Sequence, residues 1–374
     1  MSALPGHSSR ERADVKAPRE IESPPESDRF LGAPHPRNTE VLFGHAAAET
    51  TLLEAYRSNR LPHAWIIGGM EGIGKATLAW RFARFVLAHP DPTSESVRQA
   101  VDLSVPATHP VSRRIAALSH GDVLVSRREW DTKAKKHFTQ IRAEEARRIV
   151  DLFRKSAAEG GWRVVILDSV DDLNRQSANA LLKMIEEPPS KSLFLLVSHR
   201  PAHILPTIRS RSRMLHLTPL QPGDILQAMR NAGPPWANAS QDDLVAAAER
   251  GQGSVRSAMR LLDGKGLVLA RRLEGLLDRL PVVDLAGVHD LADTLTGRDA
   301  TDDFETVLST VFGWIDAQVR AQGQGGAARL ARFAEVWEKI AASARETEAF
   351  NLDRRPLILS IFADLAAAAR AARS

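Results

Sequence analysis

The sequence predicts an α/β protein in which a parallel sheet, covered by helices, is followed by two regions built of helices alone. Short apolar strand patterns span residues 64–69, 163–167 and 193–198, and helical patterns separate them. Strands that alternate with helices form parallel sheets with both faces covered. After about Leu220 the strand patterns stop, and helical spacing of apolar residues continues towards the C-terminus.

Length and composition limit the remaining possibilities. The chain has 374 residues, 43% of them hydrophobic and 26% charged, and should form roughly two or three domains. It has no cysteine, which excludes disulfides and thiolate zinc sites and is compatible with a cytoplasmic location. The net charge of +4 permits contact with nucleic acid without requiring it. Because no run of about 18 apolar residues is present, neither a membrane span nor a membrane partner is expected.

A phosphate-binding loop is the first motif with a chemical meaning. Gly69, Gly72, Gly74 and Lys75 match the pattern G-x-x-x-x-G-K between a predicted strand and a predicted helix. The glycines let the backbone curl so that its N–H groups face phosphate oxygens, and the lysine reaches the outer phosphates. A plain tight turn is the alternative, but the flanking strand and helix favour the phosphate loop.

Two positions depart from the pattern of a working ATPase. Ala76 stands where Ser or Thr holds Mg²⁺, and Thr77 is no simple substitute because one helical step turns a side chain by about 100°. An apolar strand ending in Asp168 is typical of the second metal-site element, although many buried strands end at an acidic turn. Ser169 follows it, where AAA+ ATPases carry a Glu that activates water. Mg²⁺ binding is therefore doubtful, and ATP, if it binds, is not expected to be hydrolysed.

A longer segment carries a specific resemblance. Residues 174–189 read N-R-Q-S-A-N-A-L-L-K-M-I-E-E-P-P and resemble the N-A-L-L-K-x-x-E-E-P-P segment of clamp-loader subunits, which are AAA+ proteins. An amphipathic helix explains the apolar positions but not the Glu-Glu-Pro-Pro that follows them. The resemblance runs from about residue 42 to about residue 260.

The resemblance implies a domain organisation. It places an AAA+ P-loop domain at residues 39–219, a small helical lid at 220–265, and an all-α collar domain for oligomerisation at 266–374. Residues 1–38 are rich in proline and poor in large apolar side chains, which predicts a disordered tail.

Single residues acquire roles from the same resemblance. Clamp-loader subunits carry S-R-C where this chain has Ser210, Arg211 and Ser212, and their arginine is a finger presented to the ATP of a neighbouring subunit. The match implies this role for Arg211, whose planar fork suits phosphate oxygens. Taken alone, the segment is more typical of a solvated basic turn. Ser198 and Arg256 match sensor positions, although a surface arginine after a helix-capping serine explains Arg256 equally well.

A zinc site is not expected. Related bacterial subunits usually carry a cysteine-rich zinc module between the phosphate-loop helix and the next strand. This chain has only His89, His109 and His120 in that region, without thiolate or carboxylate partners at ligand spacing.

The pattern of losses favours a delta-prime-type clamp-loader subunit. Such a subunit would assemble with gamma/tau and delta subunits within the DNA polymerase III holoenzyme and complete a neighbour's ATP site with Arg211. Its complex would load the sliding clamp (beta) onto primer–template DNA. Two alternatives stay open: a working gamma/tau-type ATPase, and a non-enzymatic DNA-binding protein, which should bind DNA by itself with steep salt dependence.

Overall fold

A five-stranded parallel sheet is the centre of the first domain in the computed structural model. The structure describes residues 24–30, 32–154, 157–158, 161–296, 300–321, 327–350 and 352–373. In spatial order β2-β5-β6-β1-β7, the sheet consists of β1 (Ala64–Gly68), β2 (Val123–Arg127), β5 (Arg163–Asp168), β6 (Ser192–Ser198) and β7 (Arg213–His216). A separate antiparallel hairpin pairs β3 (Trp130–Asp131) with β4 (Lys136–His137).

Helices surround the sheet and make up the described chain after β7, which confirms the predicted fold class. The sheet domain contains α1 (Ala46–Arg57), α2 (Lys75–Ala88), α3 (Glu95–Gln99), α4 (Pro110–Ala116), α5 (Ala143–Arg154), α6 (Arg175–Glu186) and α7 (Pro206–Arg209). The region predicted to be a lid, which we call the lid, contains α8 (Pro222–Asn231), α9 (Gln241–Arg250) and α10 (Val255–Leu262). The region predicted to be a collar, which we call the collar, contains α11 (Gly266–Leu277), α12 (Leu285–Thr294), α13 (Thr301–Ala321), α14 (Ala327–Ala349) and α15 (Arg354–Arg373).

The sheet is buried on both faces, which explains why its central strands are continuous apolar runs. Every residue of β1 and β6 is buried. One face packs against α2 and shares its apolar core with the lid, through residues such as Phe82, Ile225 and Trp236. The other face packs against α5 and α6. The collar has a separate core of buried side chains from α11 to α15. The lid is therefore continuous with the sheet domain, and α11 joins the lid to the collar because its residues Leu267 and Ala270 belong to the core of the sheet and lid.

The strand register assembles the site at one edge of the sheet. Gly68 of β1 lies opposite Ser198 of β6, and Asp168 of β5 lies opposite Arg127 of β2. Because these strands are parallel, their carboxyl ends meet at one edge, where open α/β sheets bind ligands. The phosphate loop leaves β1 at this edge.

The predicted disordered tail is wrong for residues 24–30 and 32–38. Ala33 and His35 are buried, and Arg127 donates to both carboxylate oxygens of Asp28, at 2.7 and 2.9 Å. The low content of large apolar residues suggested disorder, but ion pairs hold this segment instead. Residues 1–23 lie outside the described residues.

The segment between α2 and β2 is rich in proline but contains the two short helices α3 and α4. Pro110 occupies the first position of α4, where a backbone nitrogen has no partner within the helix and the missing N–H of proline costs nothing.

Within the part of the chain that the structure describes, no helix is both long and apolar enough to cross a membrane.

Candidate functional site

The phosphate loop adopts a backbone conformation that its glycines permit. Gly69, Gly72 and Gly74 have φ values of 145°, 77° and 100°, which side chains rarely tolerate. Helix α2 begins directly afterwards at Lys75. The unpaired N–H groups and the positive dipole end of this helix therefore face the loop.

A cavity of about 570 Å³ lies beside the loop, within the range of small-molecule and cofactor sites. The predicted site residues that line it are Gly72, Gly74, Lys75, Ala76, Thr77, Asp168 and Arg256. The described lining residues do not include Gly69, Ser169, Ser198 or Arg211. The structure thus brings most of the residues predicted to bind nucleotide to one cavity and places Arg211, the predicted arginine finger, elsewhere.

Burial shifts the pKa values of two charged groups at the loop in opposite directions. It lowers the pKa of Lys75 to about 8, although the carboxylates of Asp168 and Glu71 favour the charged amine. It raises the pKa of Asp168 to about 7, where Asp28 adds to the rise and Lys75 opposes it. Burial is the largest influence on both pKa values, and the attraction between the two charges partly offsets it.

The donors that would hold Mg²⁺ and activate water are missing or engaged elsewhere. Ala76 lines the cavity but has no hydroxyl. Ser169 is buried, and its hydroxyl donates to Asp172 Oδ2 at 3.2 Å. Across the described ranges no group of three or more His, Cys, Asp or Glu is arranged to hold a metal. The residues at the loop therefore fit phosphate groups, but they do not fit a hydrolytic Mg²⁺ site.

Ser198 ends β6 and is tied to the turn that follows β5. Its hydroxyl donates to Asp171 Oδ1 at 2.8 Å, and the N–H of His199 donates to the other oxygen of that carboxylate. His199 lines the cavity, and burial together with the charge of Lys75 lowers its pKa to about 4. Sequence reasoning missed His199, although its place directly after a predicted sensor was a usable signal.

The lid contacts the loop at Gly72. The N–H of Val255 donates to the Gly72 carbonyl at 2.9 Å. A side-chain carbon at Gly72 would lie 2.3 Å from Ser254 Oγ and 2.5 Å from Arg256 Cβ. Arg256 also pairs with Glu71 of the loop at 3.0 Å. The loop and the lid are therefore joined directly by protein groups, and glycine is needed for their close approach.

Arg211 lies on the surface between α7 and β7. Its guanidinium pairs with Glu186 Oε1 at 3.0 Å and donates to the Thr207 carbonyl at 3.2 Å. About two fifths of its side chain is exposed (41%). Because Glu186 belongs to the Glu-Glu-Pro-Pro segment, the fold joins two motifs that lie apart in sequence. An exposed guanidinium held in this way can reach a neighbouring molecule.

The histidines between α2 and β2 serve local structure. His109 and His120 each accept the backbone N–H two residues later, at 3.3 and 3.2 Å. The ring of His89 packs against Phe85 with 4.8 Å between ring centroids. These contacts orient each ring.

Known proteins resemble this chain across the sheet domain. Residues 44–221 match the profile of the family described as DNA polymerase III, delta subunit. The delta' subunit of DNA polymerase III from Pseudomonas aeruginosa is 33% identical over 149 residues, which cover 40% of this chain and 41% of that protein. The delta' subunit from Escherichia coli is 26% identical over 215 residues, which cover 57% and 58% of the two chains. Residues 44–221 are thus similar to the delta' subunits of DNA polymerase III.

Gamma and tau/gamma subunits of DNA polymerase III are similar as well. The tau/gamma subunit from Haemophilus influenzae is 28% identical over 229 residues, which cover 61% of this chain and 31% of that protein. The matches span less than two thirds of the length of each of these relatives. A gamma subunit-related protein from Thermotoga maritima superposes with a TM-score of 0.41 and 18% identity, over 85% of this chain and 100% of that one.

Proposed function

We propose that this chain is a delta-prime-type clamp-loader subunit that completes a neighbour's ATP site with Arg211 and does not hydrolyse ATP itself. Its partners would be gamma/tau and delta subunits, the sliding clamp and primer–template DNA, in the cytoplasm. The observation that carries the proposal is one contrast. Arg211 is oriented and exposed, whereas Ala76 lacks the hydroxyl and Ser169 the carboxylate of a working site.

The chain's own cavity is suited to binding nucleotide without turnover. The loop amides and Lys75 would hold the phosphates, since an amine with a pKa of about 8 is still mostly charged at neutral pH. Mg²⁺, where a site holds it, neutralises the charge that develops on the phosphates. Here the residue after Asp168 is Ser169, whose hydroxyl is bound to Asp172. It cannot take a proton from an attacking water as a carboxylate would.

Arg211 has the properties that catalysis in a neighbouring subunit requires. Its charge is permanent, and its planar fork can bind two phosphate oxygens at once. At present it pairs with Glu186 on the surface, where an ion pair is weak and easily exchanged. Head-to-tail contacts between unlike faces would bring it to the next subunit's phosphates. Arginine fingers supply about 10³ to 10⁵ in rate, or roughly 4–7 kcal/mol of barrier.

The test is ATP hydrolysis by a reconstituted loader in the presence of clamp and primed DNA. Arg211→Ala should reduce ATP turnover by about 10³-fold or more at the site that this chain completes. The total turnover of the loader should therefore fall by the contribution of that one site. Arg209→Ala is the matched control, because Arg209 is also exposed and lies in the same turn. Arg211→Lys keeps the charge but loses the fork, so it should give an intermediate rate. As a control, all variants must assemble into the loader equally well. Unchanged turnover with Arg211→Ala would show that Arg211 is not an arginine finger.

A gamma/tau-type ATPase is the second candidate. It is favoured by the similarity to tau/gamma proteins and by the cavity beside Lys75. ATP turnover by the isolated chain separates this candidate from the first.

A further inference from the structure

An N-terminal segment crosses the phosphate-loop cavity from the sheet to the lid. We call residues 24–30 and 32–38 the strap. Its sheet end is held by Arg127, which ends β2 directly opposite Asp168. The Arg127 guanidinium binds both oxygens of Asp28 and also pairs with Glu26. The Asp28 side chain has no exposed surface (0%), so this ion pair is interior.

The charges of this anchor are mutually satisfied. Burial alone would raise the pKa of Asp28, but its contacts with His35 and Arg127 hold that pKa below its usual range. His35 accepts the N–H of Arg37 at Nδ1, which leaves Nε2 to donate to Asp28 at 3.2 Å. Removing one member of a buried ionic group leaves the others without a partner, which is strongly destabilising. The strap can avoid the cost of an unpaired buried charge only by detaching, so that water again solvates its charged side chains.

The strap also lies along helix α2. Arg37 binds both oxygens of Glu26 at 2.9 Å, which closes the strap on itself. Arg84 of α2 donates to the Arg37 carbonyl, and the ring of His35 meets Trp80 of α2 edge to face at 6.2 Å. Pro34 and Pro36 restrict the segment further and lower the entropy lost on docking.

The other end of the strap contacts the lid. The ring of Phe30 lies 6.2 Å from that of Trp236, and the guanidinium of Arg256 lies 5.5 Å from the centre of the Phe30 ring. Gly32 passes so close to the Trp236 ring that a side-chain carbon there would lie 3.2 Å from Cη2. Trp236 is buried and donates to the Met259 carbonyl at 3.3 Å. The strap therefore touches the core of the lid as well as its sensor-like arginine.

We infer that the strap holds the lid against the phosphate loop without nucleotide, and that Arg127 is the residue that positions the strap. Few strap residues separate the contact with Arg127 from the contact with Trp236. If the lid moved away from the loop, either Phe30 would separate from Trp236 or Asp28 would be drawn away from Arg127. The shape of the sheet domain and lid would then stay the same whether or not nucleotide is bound. This inference goes beyond the proposed function and does not depend on the role of Arg211.

Hydrogen–deuterium exchange on the full-length chain, without nucleotide, tests the inference. Arg127→Met removes the anchor and should speed exchange in α8, α9 and α10 by about tenfold, while α14 and α15 keep their wild-type rates. Arg98→Met is the matched control, since it makes the same substitution in an exposed pair with Glu95 (64% and 63% exposed). This control should leave lid exchange unchanged.

Phe30→Ala gives a second readout that spares the sheet. It removes only the contact between strap and lid and should speed lid exchange by about threefold. If Arg127→Met also speeds exchange in β1, the substitution has loosened the sheet itself. The exchange rate of the lid in Phe30→Ala then decides whether the strap holds the lid. Lid exchange at the wild-type rate in both variants would overturn the inference. Loader turnover with Arg211→Ala reports only on the finger, so the two proposals fail separately.

Discussion

The phosphate loop and the segment around Arg211 both match ATPase motifs in the sequence, but their surroundings differ. At the loop, glycine at position 72 admits the lid and Arg256 pairs with Glu71, so the motif has a structural use without any nucleotide. Arg211 contacts a half-exposed carboxylate, a turn carbonyl and the hydroxyl of Ser210, and such surface contacts stabilise a fold by less than about 1 kcal/mol. The loop is therefore held by packing against the lid, whereas Arg211 is held only by weak surface contacts.

The largest expected effect tests the structural half of this comparison. Gly72→Ala places a side-chain carbon against Ser254 and Arg256 at a φ of 77°. Overpacking and the unfavourable backbone together should lower the free energy of unfolding by roughly 3 kcal/mol. Urea unfolding followed by circular dichroism measures the change.

Gly275→Ala is the control for that substitution. Gly275 lies inside α11 with open space around it, so alanine there should be neutral or should stabilise by up to about 1 kcal/mol. If the two variants are equally stable, the contact between lid and loop is not what requires glycine at position 72.

The next effect concerns the buried acid at the loop. Asp168 has a pKa of about 7 in the folded chain, against 3.8 for an unperturbed aspartate, so the folded state binds the extra proton between these values. That stabilisation is complete below about pH 4 and is lost as the pH rises to 7. Between pH 4.5 and 6.5 the wild type should therefore lose stability relative to Asp168→Asn, on the order of 2 kcal/mol. Parallel pH profiles of unfolding for the two proteins would contradict an acid of this kind.

Local and long-range features of the site were not equally predictable. The loop from Gly69 to Lys75 and the strand end at Asp168 are short contiguous patterns, so their placement at one sheet edge follows from parallel topology. The partnership of Arg127 with Asp28 joins residues 99 positions apart, and isolated charges in a polar, proline-rich segment normally remain solvated. No periodicity or motif marks such a pair, which is why the strap was expected to be disordered.

A smaller effect is expected at the surface partner of Arg211. Glu186→Gln removes an ion pair whose two side chains are 41% and 45% exposed, and such a pair contributes less than about 1 kcal/mol. Loader turnover should change by less than about threefold, far less than with Arg211→Ala. A fall as large as that of Arg211→Ala would mean that Glu186 is required to aim the guanidinium, and the finger would then be a two-residue unit.

The smallest expected effect separates the two candidate functions. ATP turnover by the isolated chain should equal that of its Lys75→Met variant, with both at background. The reason is that Lys75 can hold phosphate, but no hydroxyl at position 76 and no carboxylate at position 169 can complete the reaction. A wild-type rate well above that of the variant would show that the cavity hydrolyses ATP despite these losses. The chain would then act as a gamma/tau-type ATPase, and the contrast between a structural loop and a functional surface would no longer hold.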